Sequence, residues 1–232
     1  MPVLRRLPAR RFELLFCMAL LPACCGLIGL ARASGDLASL LTLATMEMVL
    51  PLAMGLVSAG LVAGDPVLEM LLTYHRPVWR ILAERVAFLF GVSFGFGALL
   101  LALAQKWAIY LPKDGADRIF IWLSPLVFSL GLANAVALLR GRFLDGAIAV
   151  AGVMGLSLPA LLLIPQLCAD LPQDAQCMWW LASPIMTLGN AGNPPWPLNR
   201  LVYLGAGIGL LAFSFSLAQR EEPLLPQGLS DE

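Results

Sequence analysis

The stretch from Asp65 to Arg80, DPVLEMLLTYHRPVWR, is the only long polar-flanked segment in the first half of a chain that is otherwise close to continuous hydrocarbon. Asp65 suits an N-cap and Pro66 the first helical position, so the pattern predicts a short helix that Pro77 stops. Its faces are unequal. Val67, Leu68, Leu71 and Leu72 fall on one side at helical spacing, and Glu69, Thr73 and Arg76 on the other. Between two long apolar runs, such a helix is expected to lie at a membrane surface, and Arg76, Arg80 and Arg85 mark that surface as cytoplasmic. Periodicity alone equally describes an ordinary interfacial tether.

Working outward, 59% of the 232 residues are apolar, 13% are charged, and mean hydropathy is +0.83. A soluble globule carries about a quarter charged residues, so the composition is that of an integral membrane protein. The expected fold class is an all-α membrane protein in one domain over 1–232, with six transmembrane helices at about 14–31, 39–63, 82–104, 119–139, 146–165 and 201–218. Arg5, Arg6, Arg10 and Arg11 around Leu4, Leu7 and Phe12 suit an N-terminal elbow helix on the cytoplasmic face. Ala31-Arg32-Ala33 offers a signal-cleavage alternative, but the preceding apolar stretch exceeds the usual signal core of about 7–15 residues, so retention is expected. Of the fifteen Lys and Arg, ten fall on loops and ends that this scheme puts inside, which predicts cytoplasmic termini.

Three polar residues within the apolar runs are candidates for a permeation path: Glu47, Asn134 and Ser157. Glu47 is the only acid well inside a span, where an unpartnered charge costs about 2.5–3.5 kcal/mol on insertion scales. It needs a partner or water, or else lies near the outer interface and snorkels. Pro51, four residues on, frees a backbone carbonyl and predicts a local kink. Asn134 is expected to bond a neighbouring helix. The Gly91/Gly95 pair has GxxxG spacing and suggests close helix packing. Arg140-Gly141-Arg142 makes a turn so short that the flanking spans must be antiparallel neighbours.

The segment 166–199 is too apolar to be simply solvated. Its Met178, Trp179, Trp180, Ile185 and Leu188 predict short helices dipping into the outer leaflet, packed against the mouth of the bundle, with an aromatic belt as the alternative. Cys168 and Cys177 lie in this segment; in an oxidising compartment they could form a disulfide, and otherwise they are two free thiols.

Missing chemistry narrows the function. There is no GxxxxGK[ST], no H-E-x-x-H, no G-x-S-x-G, no cysteine or histidine cluster with metal spacing, and no basic tract for nucleic acid. The chain is therefore not expected to hydrolyse ATP, to be an enzyme, or to bind a metal itself.

The D-x-x-L-E-x-L-L pattern of Asp65, Leu68, Glu69, Leu71 and Leu72, its Tyr/Pro turn and the Arg-rich start of the next run together resemble the coupling helix of ATP-binding cassette (ABC) permeases. In particular they resemble the small six-span type V exporter subunits, the type 2 family. The resemblance spans the whole chain: elbow, six spans, coupling helix at 65–76 and re-entrant outer helices before the last span. It implies a multi-pass permease of a bacterial inner (plasma) membrane that pairs with a second copy or a related permease. It also implies a separate cytoplasmic ABC ATPase subunit, which would hold ATP and Mg and receive Asp65, Leu68, Glu69, Leu71, Leu72, Thr73, Tyr74 and Arg76. Family members vary in the turn here written Tyr74-His75-Arg76-Pro77, so contacts carry over most directly at Asp65, Glu69 and Leu72. The alternative is a non-transporting membrane scaffold or assembly subunit that docks a cytoplasmic partner through the same helix.

Overall fold

A computed structural model describes residues 8–62, 78–111, 117–167, 183–185, 187 and 196–219. The expected coupling helix at 65–76, Cys168, Cys177 and most of the segment 166–199 lie outside the described residues. Among those described, the chain is all-helical, with α1 (Pro8–Ala31), α2 (Gly35–Val62), α3 (Val78–Lys106), α4 (Asp117–Arg140), α5 (Phe143–Leu167) and α6 (Trp196–Gln219). Each apolar run of the sequence falls on one of these helices. Four of them, α2, α3, α4 and α6, are long and apolar enough over their described residues to cross a membrane.

Neighbouring helices alternate in direction, as their contacts show. Ser39 near the start of α2 donates its hydroxyl to the carbonyl of Tyr110, just past the end of α3. At the opposite end, Arg85 near the start of α3 donates to the carbonyl of Leu61 in the last turn of α2. Gly141, with φ +62, lets the chain turn within two residues from α4 into α5, which lies antiparallel beside it. By contrast α4 and α6 run parallel: Phe128 meets Tyr203 edge to face, and three residues on Gly131 meets Gly207. The ends of α2 and α4 and the starts of α3 and α5 therefore share one end of the bundle, with Arg80, Arg85, Arg140 and Arg142. The end of α3 and the starts of α2, α4 and α6 belong to the other.

At the centre stands α4. From Ile121 to Leu138 it is buried on nearly every face, with only Leu123, Phe128, Leu132 and Val136 forming a half-buried seam. It packs against α2, α5 and α6, and its Trp122, Leu126 and Leu130 join Met46, Leu50, Met54 and Val57 of α2 in the main apolar cluster. Just past the end of α3, Trp107 turns inward onto Gly29 of α1, whereas Tyr110 is exposed.

Close helix approach is carried by different glycines from the pair whose spacing suggests it. A Cβ at Gly207 would lie 2.6 Å from the backbone of Val127 and Phe128, and one at Gly131 2.6 Å from the carbonyl oxygen of Gly207. At Gly97 it would come within 2.8 Å of the Trp122 indole. Gly91 and Gly95, in contrast, sit on the exposed side of α3, and a Cβ at either meets nothing within 4 Å. Spacing alone does not choose the face; α3 uses its other side, with Leu89, Ser93 and Leu100, to reach the core. Gly207→Ala should therefore cost about 1–3 kcal/mol of stability by overpacking against backbone that cannot yield. Gly91→Ala and Gly95→Ala should be neutral or gain up to about 1 kcal/mol from helix propensity. Unfolding curves of the three purified variants in mixed micelles check the contrast.

Candidate functional site: a buried ion pair beneath an irregular strap

The local structure of α2 begins with a proline. Pro51 has no N–H to give to the carbonyl of Glu47, and its ring crowds that carbonyl. The helix responds by widening rather than by breaking: Thr45–Val49 form a π turn, in which the Leu50 N–H reaches back to the Thr45 carbonyl. On its N-terminal side Thr42 and Thr45 turn their hydroxyls back onto the carbonyls of Ala38 and Leu41, both at 2.7 Å, a bonding pattern that itself bends helices. Glu47 occupies the middle of the widened turn and is fully buried. The snorkelling alternative for this residue does not apply.

What Glu47 meets is Arg200, one turn into α6 and only 1% exposed. The sequence reading starts the last apolar run at residue 201, which leaves Arg200 just outside it. The helix instead begins at Trp196, so the guanidinium sits inside the first turn and reaches Glu47 Oε1 as an ion pair. Pro197 carries the signal that could have set this start, since proline favours the first helical positions.

Against this pair packs a short strap described at Ser183, Pro184, Ile185 and Thr187, non-helical at 183–185 and helical at Thr187. Three of its backbone polar groups are bonded by side chains of α2 and α6. Arg200 Nη1 donates to the Pro184 carbonyl at 2.9 Å, and Asn199 Nδ2 donates to the Ser183 carbonyl, also at 2.9 Å. The Thr187 amide donates to Glu47 Oε1 at 3.0 Å. The Thr187 hydroxyl oxygen accepts from Arg200 Nη2 at 2.7 Å and from Trp196 Nε1 at 2.9 Å. The Arg200 guanidinium also lies 5.5 Å from the centre of the Trp196 ring, a cation–π contact. Ile185 completes the strap by burying its side chain in the apolar cluster of Ala59, Ala133, Ala137, Val150 and Met154.

The electrostatics explain why these residue types meet. Either charge alone in this interior would cost several kcal/mol, and irregular backbone away from water would leave its N–H and C=O groups unsatisfied. Bringing the carboxylate, the guanidinium and the strap together offsets both costs at once. Glu47 is twelve residues into α2, roughly 18 Å along its axis at 1.5 Å per residue, so the strap reaches far below the start of that helix.

The other path candidates are placed elsewhere. Ser58 of α2 donates its hydroxyl at 2.8 Å to Asn134 Oδ1 of α4, joining these two helices in their buried contact. The Asn134 amide nitrogen and the Ser129 hydroxyl, also buried, have no hydrogen-bond partner among the described residues. Ser157 of α5 directs its hydroxyl to the Val153 carbonyl within its own helix, at 2.6 Å. Among the described residues there is no group of His, Cys, Asp and Glu that could hold a metal ion. No protein-family model matches the chain, and no curated protein or solved structure is significantly similar to it.

Because removing one member strands the other charge, Glu47→Met and Arg200→Met should each destabilise the fold by about 3–5 kcal/mol. The double variant Glu47→Met/Arg200→Met should recover most of that loss, because methionine fills similar volume without a charge. A double-mutant cycle on thermal unfolding in detergent checks this; additive losses would show that the two side chains are not coupled.

Proposed function

We propose that the chain is the transmembrane permease subunit of an ABC-type exporter, crossing the membrane six times with both termini in the cytoplasm. In this reading it forms half of a substrate pathway driven by separate ATPase subunits. The observation that carries the reading is the arrangement around 63–77. The helices that deliver and receive this segment, α2 and α3, are antiparallel and are tied by Arg85 to Leu61 where the segment leaves and returns. The same end of the bundle carries Arg80, Arg85, Arg140 and Arg142, as a cytoplasmic end should. An amphipathic helix at 65–76 would be held there between two helices tied by the Arg85–Leu61 bond, so a push on it by a closing ATPase would pass into α2. The irregular strap beneath polar side chains at the other half of the bundle suits the re-entrant outer segment of the same scheme.

In this scheme Glu47 serves the pathway by holding the strap in place. Asn134 and Ser58 are the polar contact in the wall between α2 and α4. The second permease copy, or a related permease, supplies the other half of the pathway.

Two measurements test the proposal. A tagged chain purified from its native membrane should bring down a P-loop ATPase; if the only partners lack a phosphate-binding loop, the scaffold reading replaces the permease reading. Leu71→Asp/Leu72→Asp should leave insertion intact and abolish the stimulation of that ATPase by the permease in reconstituted vesicles, because the apolar docking face is lost. Stimulation equal to that of the unmodified chain would remove the coupling role from 65–76.

A further inference from the structure

We propose that the Glu47–Arg200 pair is a releasable latch, which holds the strap at Ser183, Pro184, Ile185 and Thr187 against the bundle and lets it lift when the two charges part. The latch would regulate the pathway that the permease reading assigns to this chain; its purpose rests on that reading, though its geometry does not.

Three features of the geometry lead to this conclusion. The first is economy of attachment. Five hydrogen bonds to the described residues of the strap come from a cluster of four side chains, Glu47, Trp196, Asn199 and Arg200, and three of them meet at one residue, Thr187. Loss of the ion pair therefore withdraws both the acceptor for the Thr187 amide and the donor for the Pro184 carbonyl in one event. The second is the chemistry chosen. A buried ion pair is no more stabilising than apolar residues of the same volume, so simple adhesion does not require it; what it adds is a specific registration that can be lost as a unit. The third is the setting of Glu47 in a π turn, which holds one more residue than an α turn. At this point α2 can shift its hydrogen bonds and carry the carboxylate away without unfolding the turns on either side. Ile185 would leave its apolar cluster along with the strap, uncovering Met154 and Val150 of α5.

A static anchor would use the same contacts, so the test must read opening. Ser183 is fully buried, and its hydroxyl has no hydrogen-bond partner among the described residues, so Ser183→Cys removes no bond seen there. The variant is made in a chain whose five native cysteines are replaced, reconstituted in sealed vesicles and treated from each face with a membrane-impermeant maleimide. Slow modification is expected with the pair intact, and modification faster by at least about tenfold with Glu47→Gln, which removes the charge but keeps the shape. Equal rates with and without Glu47→Gln overturn the latch.

Should Glu47→Gln fail to fold, native-state hydrogen exchange of the unsubstituted chain decides the matter. The Thr187 amide should exchange through an opening smaller than global unfolding, well ahead of the amides of Leu126 and Leu130 in α4. Exchange of Thr187 only in step with α4 overturns the latch. The face from which the thiol introduced by Ser183→Cys is reached bears on the permease reading alone: accelerated labelling from the cytoplasmic face upholds the latch and overturns the orientation proposed above. Absence of an ATPase partner likewise overturns that reading and leaves the latch standing.

Discussion

The buried pair of Glu47 and Arg200 is the constraint to which this end of the bundle answers. A carboxylate and a guanidinium in a low-dielectric interior are tolerated only when each finds the other and when the remaining hydrogen-bonding capacity is used. Here that capacity is used on a short strap that is non-helical at Ser183, Pro184 and Ile185. The consequence runs outward in both directions. α6 must begin early enough to carry Arg200 inside the fold, and α2 must widen by one residue to aim Glu47 at it. The strap takes hydrogen-bond partners from its neighbours: the Ser183 and Pro184 carbonyls accept from Asn199 and Arg200, and the Thr187 amide donates to Glu47.

Around this polar knot the bundle is held by shape rather than by further charge. Where lipid is the solvent, two apolar helices gain little by leaving it for each other, so close approach and many small contacts must provide the attraction. α4 meets that demand with small residues on two sides: Gly131 against Gly207 of α6, and Ala133 and Ala137 against Gly146 of α5. Its bulk lies where the larger gaps are, with Trp122 stacked edge-on to Phe94 and resting on Gly97 of α3. The single side-chain hydrogen bond between α2 and α4 seen among the described residues, from Ser58 to Asn134, falls in the part of the interface that these small residues bring together.

Much of this was legible in the sequence. The apolar runs marked six helices because hydrocarbon length is a strong, local signal, and Arg140-Gly141-Arg142 announced an antiparallel pair because two or three residues allow no other connection. Glu47 stood out because an acid within an apolar run is costly wherever it points. Its partner did not, because pairing depends on which residues the fold brings together across more than 150 positions, and Arg200 at the edge of an apolar run looks like any interfacial charge. Pro51 foretold a disturbance in α2 but not its form, since a kink and a π turn satisfy the same missing N–H. The glycine spacing at Gly91 and Gly95 misled for a related reason. GxxxG reports that a face could be approached, and only the arrangement of neighbours decides whether it is.

α2 emerges as the element that joins the two ends of the molecule. Its last turn is tied through the Leu61 carbonyl to Arg85, beside the segment expected to meet a cytoplasmic partner, and its π turn carries the carboxylate that holds the strap. These two points are fourteen residues apart, roughly 21 Å at 1.5 Å per residue. Between them, from Leu50 to Val62, α2 is regular and buried along most of its length against α4 and α5, so over this distance it behaves as a rod. A rod transmits displacement with little loss and bends where its hydrogen bonding is already irregular. Within the described part of α2 that place is Thr45–Val49, where Glu47 is. A displacement of this rod at Leu61 would therefore be taken up at the ion pair, where the hydrogen bonding of α2 is already irregular.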